Sequence, residues 1–311
     1  MNRIWKYGLL LAGILAASVA VHQLIATEST GIFYRVSGGK STVYILGSIH
    51  IGNRDMYPFS PNIQHALREA DTVVFECDTT SENSTSAIAR FMQSETDLKE
   101  RISPESFHLV EGAAEKLGFS METLRKLDPW AVTNTLTVAT AAKEINGRNT
   151  KTASSFGVEN MVRKQLKDQK IEYLETVDEQ LGLMEGFSLR LQEYLLVDAC
   201  RAVLETSGAK GRDQTVENWP EWWRDGKADA FAEAYLREMK DAIAPDLAKE
   251  YHQALLVERN HRMAEKIVKM LEDEQKKQCV VVVGLMHLVL ETDSILRELE
   301  QAGYFVEKVE S

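Results

Sequence analysis

Thr42–His50 reads TVYILGSIH, and the fold turns on how this stretch is read. Val43 to Leu46 is an apolar run with β-branched and aromatic members, which reads as a buried strand. Gly47 breaks the run, and His50 follows three residues later. The arrangement returns near the other end of the chain. Cys279 to Val283 is a second apolar strand, Gly284 breaks it, and His287 follows at the same spacing. After His50 come Ser60-Pro61 as a helix start, a helix to about Ala70 and a strand Thr72 to Glu76. After His287, Thr292-Asp293 starts a helix to about Ala302, Gly303 caps it, and a strand Tyr304 to Val309 follows. A strand, G-x-x-H, helix, strand unit thus occurs twice. The duplication carries the weight, because a lone G-x-x-H is a weak signal. It predicts that the two units lie side by side in one sheet and face each other.

Outward from these units the chain is ordinary in composition. Its 311 residues are 44% hydrophobic and 27% charged, typical of a globular protein. The net charge of −11 and the lack of a basic stripe argue against nucleic acid as a partner. The N-terminus differs. Arg3 and Lys6 precede the apolar run Gly8 to Val21, with small residues at Ser18 and Ala20. This pattern reads first as a cleaved export signal and second as a retained membrane anchor. Residues 1–26 are therefore set apart from a domain at 27–311, and the expected location is the periplasm or cell envelope. Three cysteines, Cys77, Cys200 and Cys279, do not make a disulfide framework. A bridge between Cys77 and Cys279 would need their strands side by side.

Between the two units lies a long, mainly helical insertion, about 87–275. Asp78 to Ser86 reads as a loop. Helical patterns run from Ala87 to Ile145 with breaks at Pro104, Gly118 and Pro129. Gly147 to Lys151 is a basic turn, Phe156 to Asp168 a helix and Ile171 to Glu175 a short strand. Asp178 to Leu204 reads as one long amphipathic helix. Gly208 to Gly226 reads as a loop holding Trp219, Trp222 and Trp223, and helices follow at Ala228 to Ala242 and Pro245 to Gln275. The organisation is two α/β halves at the chain ends in one sheet, with the insertion between them.

In open α/β sheets, ligands bind outside the carboxyl ends of the strands. His50, His287, Glu76 and Glu175 all follow predicted strand ends. Two imidazoles with one or two carboxylates suit a divalent transition metal with open positions. Each residue alone has an ordinary structural reading; the repeated motif favours the histidines. On the predicted helix near 260, Leu256, Met263, Ile267 and Met270 form an apolar stripe that contains Asn260, with Arg259 beside it. Inward polar groups need partners, and Arg259 is suited to a carboxylate of the site or an anionic ligand. Glu159 and Gln180, at helix starts near the Glu175 strand, are candidate supports. The tryptophans read as packing under a loop. His65, His108, His252 and His261 sit in helical patterns with no partner at useful spacing.

Taken together, YILGSIHIG, VVFECD, GVE, IEYLETVDEQL, VERN and VVVGLMHLV resemble the TraB/GumN family, which includes the Tiki proteins, from about Gly31 to Val309. The resemblance implies an α/β fold of the erythromycin-esterase or ChaN kind. By its Tiki members it implies a metal-dependent peptidase with manganese or cobalt, for which zinc is a further option. Carried over, His50 and His287 are the motif histidines and metal ligands with Glu76, and Arg259 is the arginine. Whether Glu76 or Glu175 is the required glutamate stays open, as does the role of Glu159, where the family often has Asp. Two functions follow. One is a hydrolase of a peptide or small molecule, with Glu76, Glu175 and Arg259 in catalytic roles. The other is a non-catalytic protein that binds or sequesters a peptide or haem, since histidines also suit haem iron.

Overall fold

A computed structural model describes residues 28–146, 150–204, 215–241 and 245–310. The expected signal or anchor at 1–26 lies outside these residues, as does most of the Gly147 to Lys151 turn. Six strands form one mixed sheet: β1 (Phe33–Ser37), β2 (Thr42–Ser48), β3 (Thr72–Phe75), β4 (Lys170–Tyr173), β5 (Gln278–Gly284) and β6 (Phe305–Lys308), in the order β4-β3-β5-β2-β1-β6. The strands β4, β3, β5 and β2 run parallel, so their carboxyl ends share one edge. β1 joins β2 and β6 antiparallel. The two histidine strands are neighbours, with Gly47 opposite Val283 and Ser48 opposite Gly284. The duplication therefore does read out as adjacency.

Burial explains the order. Val73, Val74 and Phe75 of β3 and Val280 to Val283 of β5 are inaccessible or nearly so on both faces, as inner parallel strands covered by helices require. The edge strands are different: Ile171 of β4 is 41% exposed and Phe305 of β6 is 70% exposed. Helix α1 (Pro61–Glu69) starts as the sequence predicts, with the Ser60 side chain accepting from Ile63 N–H and Pro61 in the first turn. The helix of the second unit starts later than the expected Thr292-Asp293, because Ser294 caps it.

The insertion builds a second core. Helices α2 (Pro104–Leu117), α3 (Pro129–Asn146) and, later in the chain, α6 (Leu189–Leu204) pack Val110, Leu136, Leu196 and Cys200 against one another. Preceding α6 are α4 (Val158–Arg163) and α5 (Val177–Glu185). The single helix expected over 178–204 is thus two. Gly186 caps α5, and the Ser188 hydroxyl accepts from Leu191 N–H to start α6 afresh. The predicted loop Asp78 to Ser86 ends early, because Ser81 caps a helix at Glu82–Met92. The tryptophans lie on helix α7 (Thr215–Arg224), not in a loop. Helices α8 (Ala228–Asp241) and α9 (Pro245–His252) lead through a π-helical turn, Gln253–Val257, into α10 (Glu258–Leu271). Short α11 (Met286–Val289) carries His287, and α12 (Ile295–Gln301) precedes β6.

All three cysteines are free thiols. Cys77 and Cys279 do belong to neighbouring strand segments, but Cys279 pairs with Thr72 at the start of β3 while Cys77 lies past its end. The register keeps them at opposite ends. Among the described residues no helix is long and apolar enough to cross a membrane.

Candidate functional site

The shared carboxyl edge of β2, β5, β3 and β4 gathers the predicted residues. His50 follows β2, Glu76 follows β3, Glu175 follows β4 and His287 follows β5. The side chain of His50 is 76% exposed, whereas Glu76, Glu175, Arg259 and His287 are buried.

Arg259 organises the carboxylates. Its Nη2 donates to Glu76 Oε1 and, at 2.7 Å, to Glu175 Oε2, while Nε donates to both oxygens of Glu175 at 3.2 and 3.0 Å. Its Nη1 donates to the Leu255 carbonyl at 3.4 Å. The arginine is thereby committed to two adjacent strand ends, which Glu175 N–H donating to the Glu76 carbonyl at 2.8 Å also ties together. Glu76 accepts further from Gln180 Nε2 at 2.6 Å and from Gly284 N–H at 2.8 Å. Burial alone would raise the Glu76 carboxyl; the positive charge available on His287, Arg259 and His50 and the Gly284 N–H outweigh it and hold the pKa down to about 2.

The glycines of the two motifs serve close approach. Neither has the left-handed backbone that a sharp turn would use. A Cβ on Gly284 would lie 3.1 Å from Glu76 Oε2, and one on Gly47 would lie 3.2 Å from side-chain atoms of Ile32 and Leu285. Gly157 is tighter still: its Cβ would sit 2.2 Å from the His50 carbonyl oxygen. That contact, with Val158 N–H donating to Ile49 O at 3.0 Å, docks α4 against the first motif.

Docking α4 delivers Glu159. Its Oε1 accepts from Ser48 Oγ at 2.6 Å and pairs with His50 Nδ1 at 2.8 Å. The carboxylate raises the His50 pKa to about 9. His287 is the opposite case. Burial, the largest influence, holds its pKa near 4, so its ring is neutral at pH 7. Its Nδ1 lies 2.6 Å from Asn260 Oδ1. In both histidines, then, Nδ1 is engaged by an oxygen, and among the described residues Nε2 is left for another partner.

The sequence-level candidates thus divide. Glu76, Glu175 and Arg259 form one buried network, and Gln180 and Glu159 enter the site directly. Glu175 stands behind Arg259 and meets neither histidine in a hydrogen bond among the described residues. Ser48 carries a local signal: it lies two residues before His50, on the same side of an extended chain. Trp223, which donates to the Gly47 carbonyl at 2.7 Å, and His252, bonded to Tyr235 and Asp293, had none, because their partners are distant in sequence.

The donor types fit a divalent transition metal. A ligating histidine commonly has its other ring nitrogen held by a carboxylate or carbonyl, which is the arrangement of both His50 and His287. Among the described residues, however, no group of three or more His, Cys, Asp or Glu side chains is placed to hold a metal ion as it stands. Glu76 is instead occupied by Arg259, Gln180 and the Gly284 N–H.

The chain is 22% identical over 253 residues to an Escherichia coli (strain K12) protein described as uncharacterized protein YbaP, a match covering 80% of this chain and 85% of that protein. A Shigella flexneri protein of the same description matches with the same identity and coverage. No solved structure matches significantly. The model of the TraB/PrgY/gumN family matches residues 32–308. That span runs from the residue before β1 to the end of β6 and includes both G-x-x-H motifs, and the chain belongs to the TraB/PrgY/gumN family.

Proposed function

We propose that this chain is a metal-dependent hydrolase of the cell envelope, acting on a peptide or a similarly polar small molecule. Manganese or cobalt, or else zinc, would be held by His50, His287 and Glu76. The observation that carries this reading is the matched pair of imidazoles at adjacent strand ends, each with Nδ1 engaged and Nε2 left over. The bound ion would supply an acidified water and polarise the scissile carbonyl.

The residues of the chain take these roles. Asn260 and Glu159 orient the two rings. Glu76, ionised at neutral pH, supplies a carboxylate at the edge of β3. Arg259 is a positioning residue that holds Glu76 and Glu175 in register; its bonds to them leave it poorly placed to receive an oxyanion. Glu175 balances the charge of Arg259 rather than moving protons. Glu159, which is only partly buried and touches Ser48 and His50, is better placed than Glu175 as a general base. The erythromycin-esterase or ChaN type of fold belongs to the same proposal, supported by the adjacency of the two duplicated units.

The test is metal content. Protein purified without chelators is expected to carry a stoichiometric divalent metal and no haem absorbance band, and to cleave members of a peptide library. His50→Ala and His287→Ala should each lose most of the metal. Equal metal in wild type and both variants, or a strong haem band, would overturn the reading in favour of a binding protein.

A further inference from the structure

A second polar cluster lies on the far side of Asn260 from the site. His252 ends α9, and its ring sits between two oxygens: Tyr235 Oη is 3.1 Å from Nδ1, and Asp293 Oδ2 is 3.1 Å from Nε2. The Asp293 backbone carbonyl accepts from Asn260 Nδ2 at 2.8 Å, and Asn260 Oδ1 meets His287 Nδ1 at 2.6 Å. Hydrogen bonds therefore connect Tyr235 to His252 and His252 to the Asp293 carboxylate, and, through the backbone of Asp293, its carbonyl to Asn260 and Asn260 to His287.

The chemistry of an amide gives these bonds a direction. Its NH2 only donates and its oxygen only accepts. Because Asn260 Nδ2 faces a carbonyl oxygen, Oδ1 must face His287 and accept its Nδ1–H. In the neutral ring this leaves the lone pair on Nε2. A carboxylate likewise only accepts, so His252 donates Nε2–H to Asp293.

The Asp293 carbonyl thus decides how His287 is held. It lies in Glu291–Ser294, a segment without regular secondary structure. The bond from Asp293 to His252 ties that segment to α9. His252 immediately precedes the π-helical turn Gln253–Val257. Such a turn adds a residue to the helical repeat and is frequent at functional sites. Here it separates His252, which meets Asp293, from Arg259 and Asn260, which enter the buried network.

We propose that His252 and Asp293 are positioning residues for His287: they pin the carbonyl that holds the Asn260 amide and so set the orientation and tautomer of the His287 ring. This deepens the hydrolase reading, which needs a free Nε2 on His287, but the orientation is a property of the metal-free protein. Ser294 caps α12 independently, so loss of the tie is expected to disturb the ring rather than the fold.

The experiment is proton NMR on 15N-labelled, metal-free protein. The His287 Nδ1–H should give a slowly exchanging, downfield imidazole signal that His287→Ala removes. His252→Ala should speed its exchange about 10-fold or more and weaken cobalt binding about 10-fold, the lower end of what losing an outer partner of a ligating histidine costs. His252→Gln, whose amide can still donate to Asp293, should restore most of both. Should His252→Ala not fold, Asp293→Ala reads the same proton, because it removes the carboxylate that accepts from His252 and keeps the backbone carbonyl that holds Asn260, and several-fold faster exchange is expected. Absence of a protected signal in the wild type, or unchanged exchange in His252→Ala and Asp293→Ala, would overturn the proposal. If exchange responds as expected but the wild type binds no metal, the positioning role stands and the hydrolase reading falls.

Discussion

The indole Nε1 of Trp223 donates to the carbonyl oxygen of Gly47 at 2.7 Å, across 176 positions of sequence. The β1 ladder reaches Phe33 opposite Leu46, so at Gly47 the strand needs a donor from elsewhere. Trp223, fully buried, supplies it and so supports the first motif from beneath. Trp223→Phe should keep most of the packing but leave a buried carbonyl unpaired, at a cost of about 1–3 kcal/mol. Urea denaturation should register that loss with an unchanged slope. Stability equal to wild type would mean that the bond contributes nothing.

Arg259 between Glu76 and Glu175 is a buried ion network in which removing one partner strands the others. Arg259→Ala should destabilise by about 3–5 kcal/mol. Pairing it with Glu175→Gln should recover part of the loss, because fewer buried charges are left uncompensated. A double-mutant cycle on folding free energies measures this. Strict additivity would show that the two side chains are not coupled.

Gly157 is required by proximity. With a Cβ placed 2.2 Å from the His50 carbonyl oxygen, Gly157→Ala must push α4 away and take Glu159 with it. We expect a loss of about 1–3 kcal/mol, the usual cost of overpacking, together with a weakened His50–Glu159 pair. A crystal structure of the variant with the 2.8 Å contact intact would refute the link between this glycine and the site.

Glu76→Gln distinguishes a ligand from a base. A ligand carboxylate converted to a neutral amide should release metal, whereas a base should keep metal and lose turnover. Because Arg259 and Gln180 donate to Oε1 and the Gly284 N–H to Oε2, the amide also presents an NH2 to a donor, and some loss of stability accompanies either outcome. Elemental analysis beside a thermal melt separates the two effects.

Much of this arrangement is legible in the chain alone. Two apolar runs, each ending in G-x-x-H, state that two similar strands end in histidine. Strands and helix caps are local consequences of hydrophobic period and capping chemistry, so β2, β5, α1 and the strand ends that carry Glu76 and Glu175 are readable without coordinates. The inward polar pair Arg259 and Asn260 is readable for the same reason, since it interrupts an apolar stripe.

What the sequence by itself could not determine was who meets whom. Arg259 reads as a partner for either a carboxylate of the site or an anionic ligand, and only the fold shows that it meets two carboxylates, 183 and 84 positions away. His252 reads as an unpartnered helical residue, yet folding brings Asp293 to it from 41 positions away. Trp223 reads as loop packing and proves to complete the hydrogen bonding of the first motif. The physical reason is common to all three. A buried donor or acceptor must be satisfied by whatever packing brings near it. Strand order and helix docking choose that neighbour, and these depend on contacts spread over the whole chain, not on the residues flanking the group.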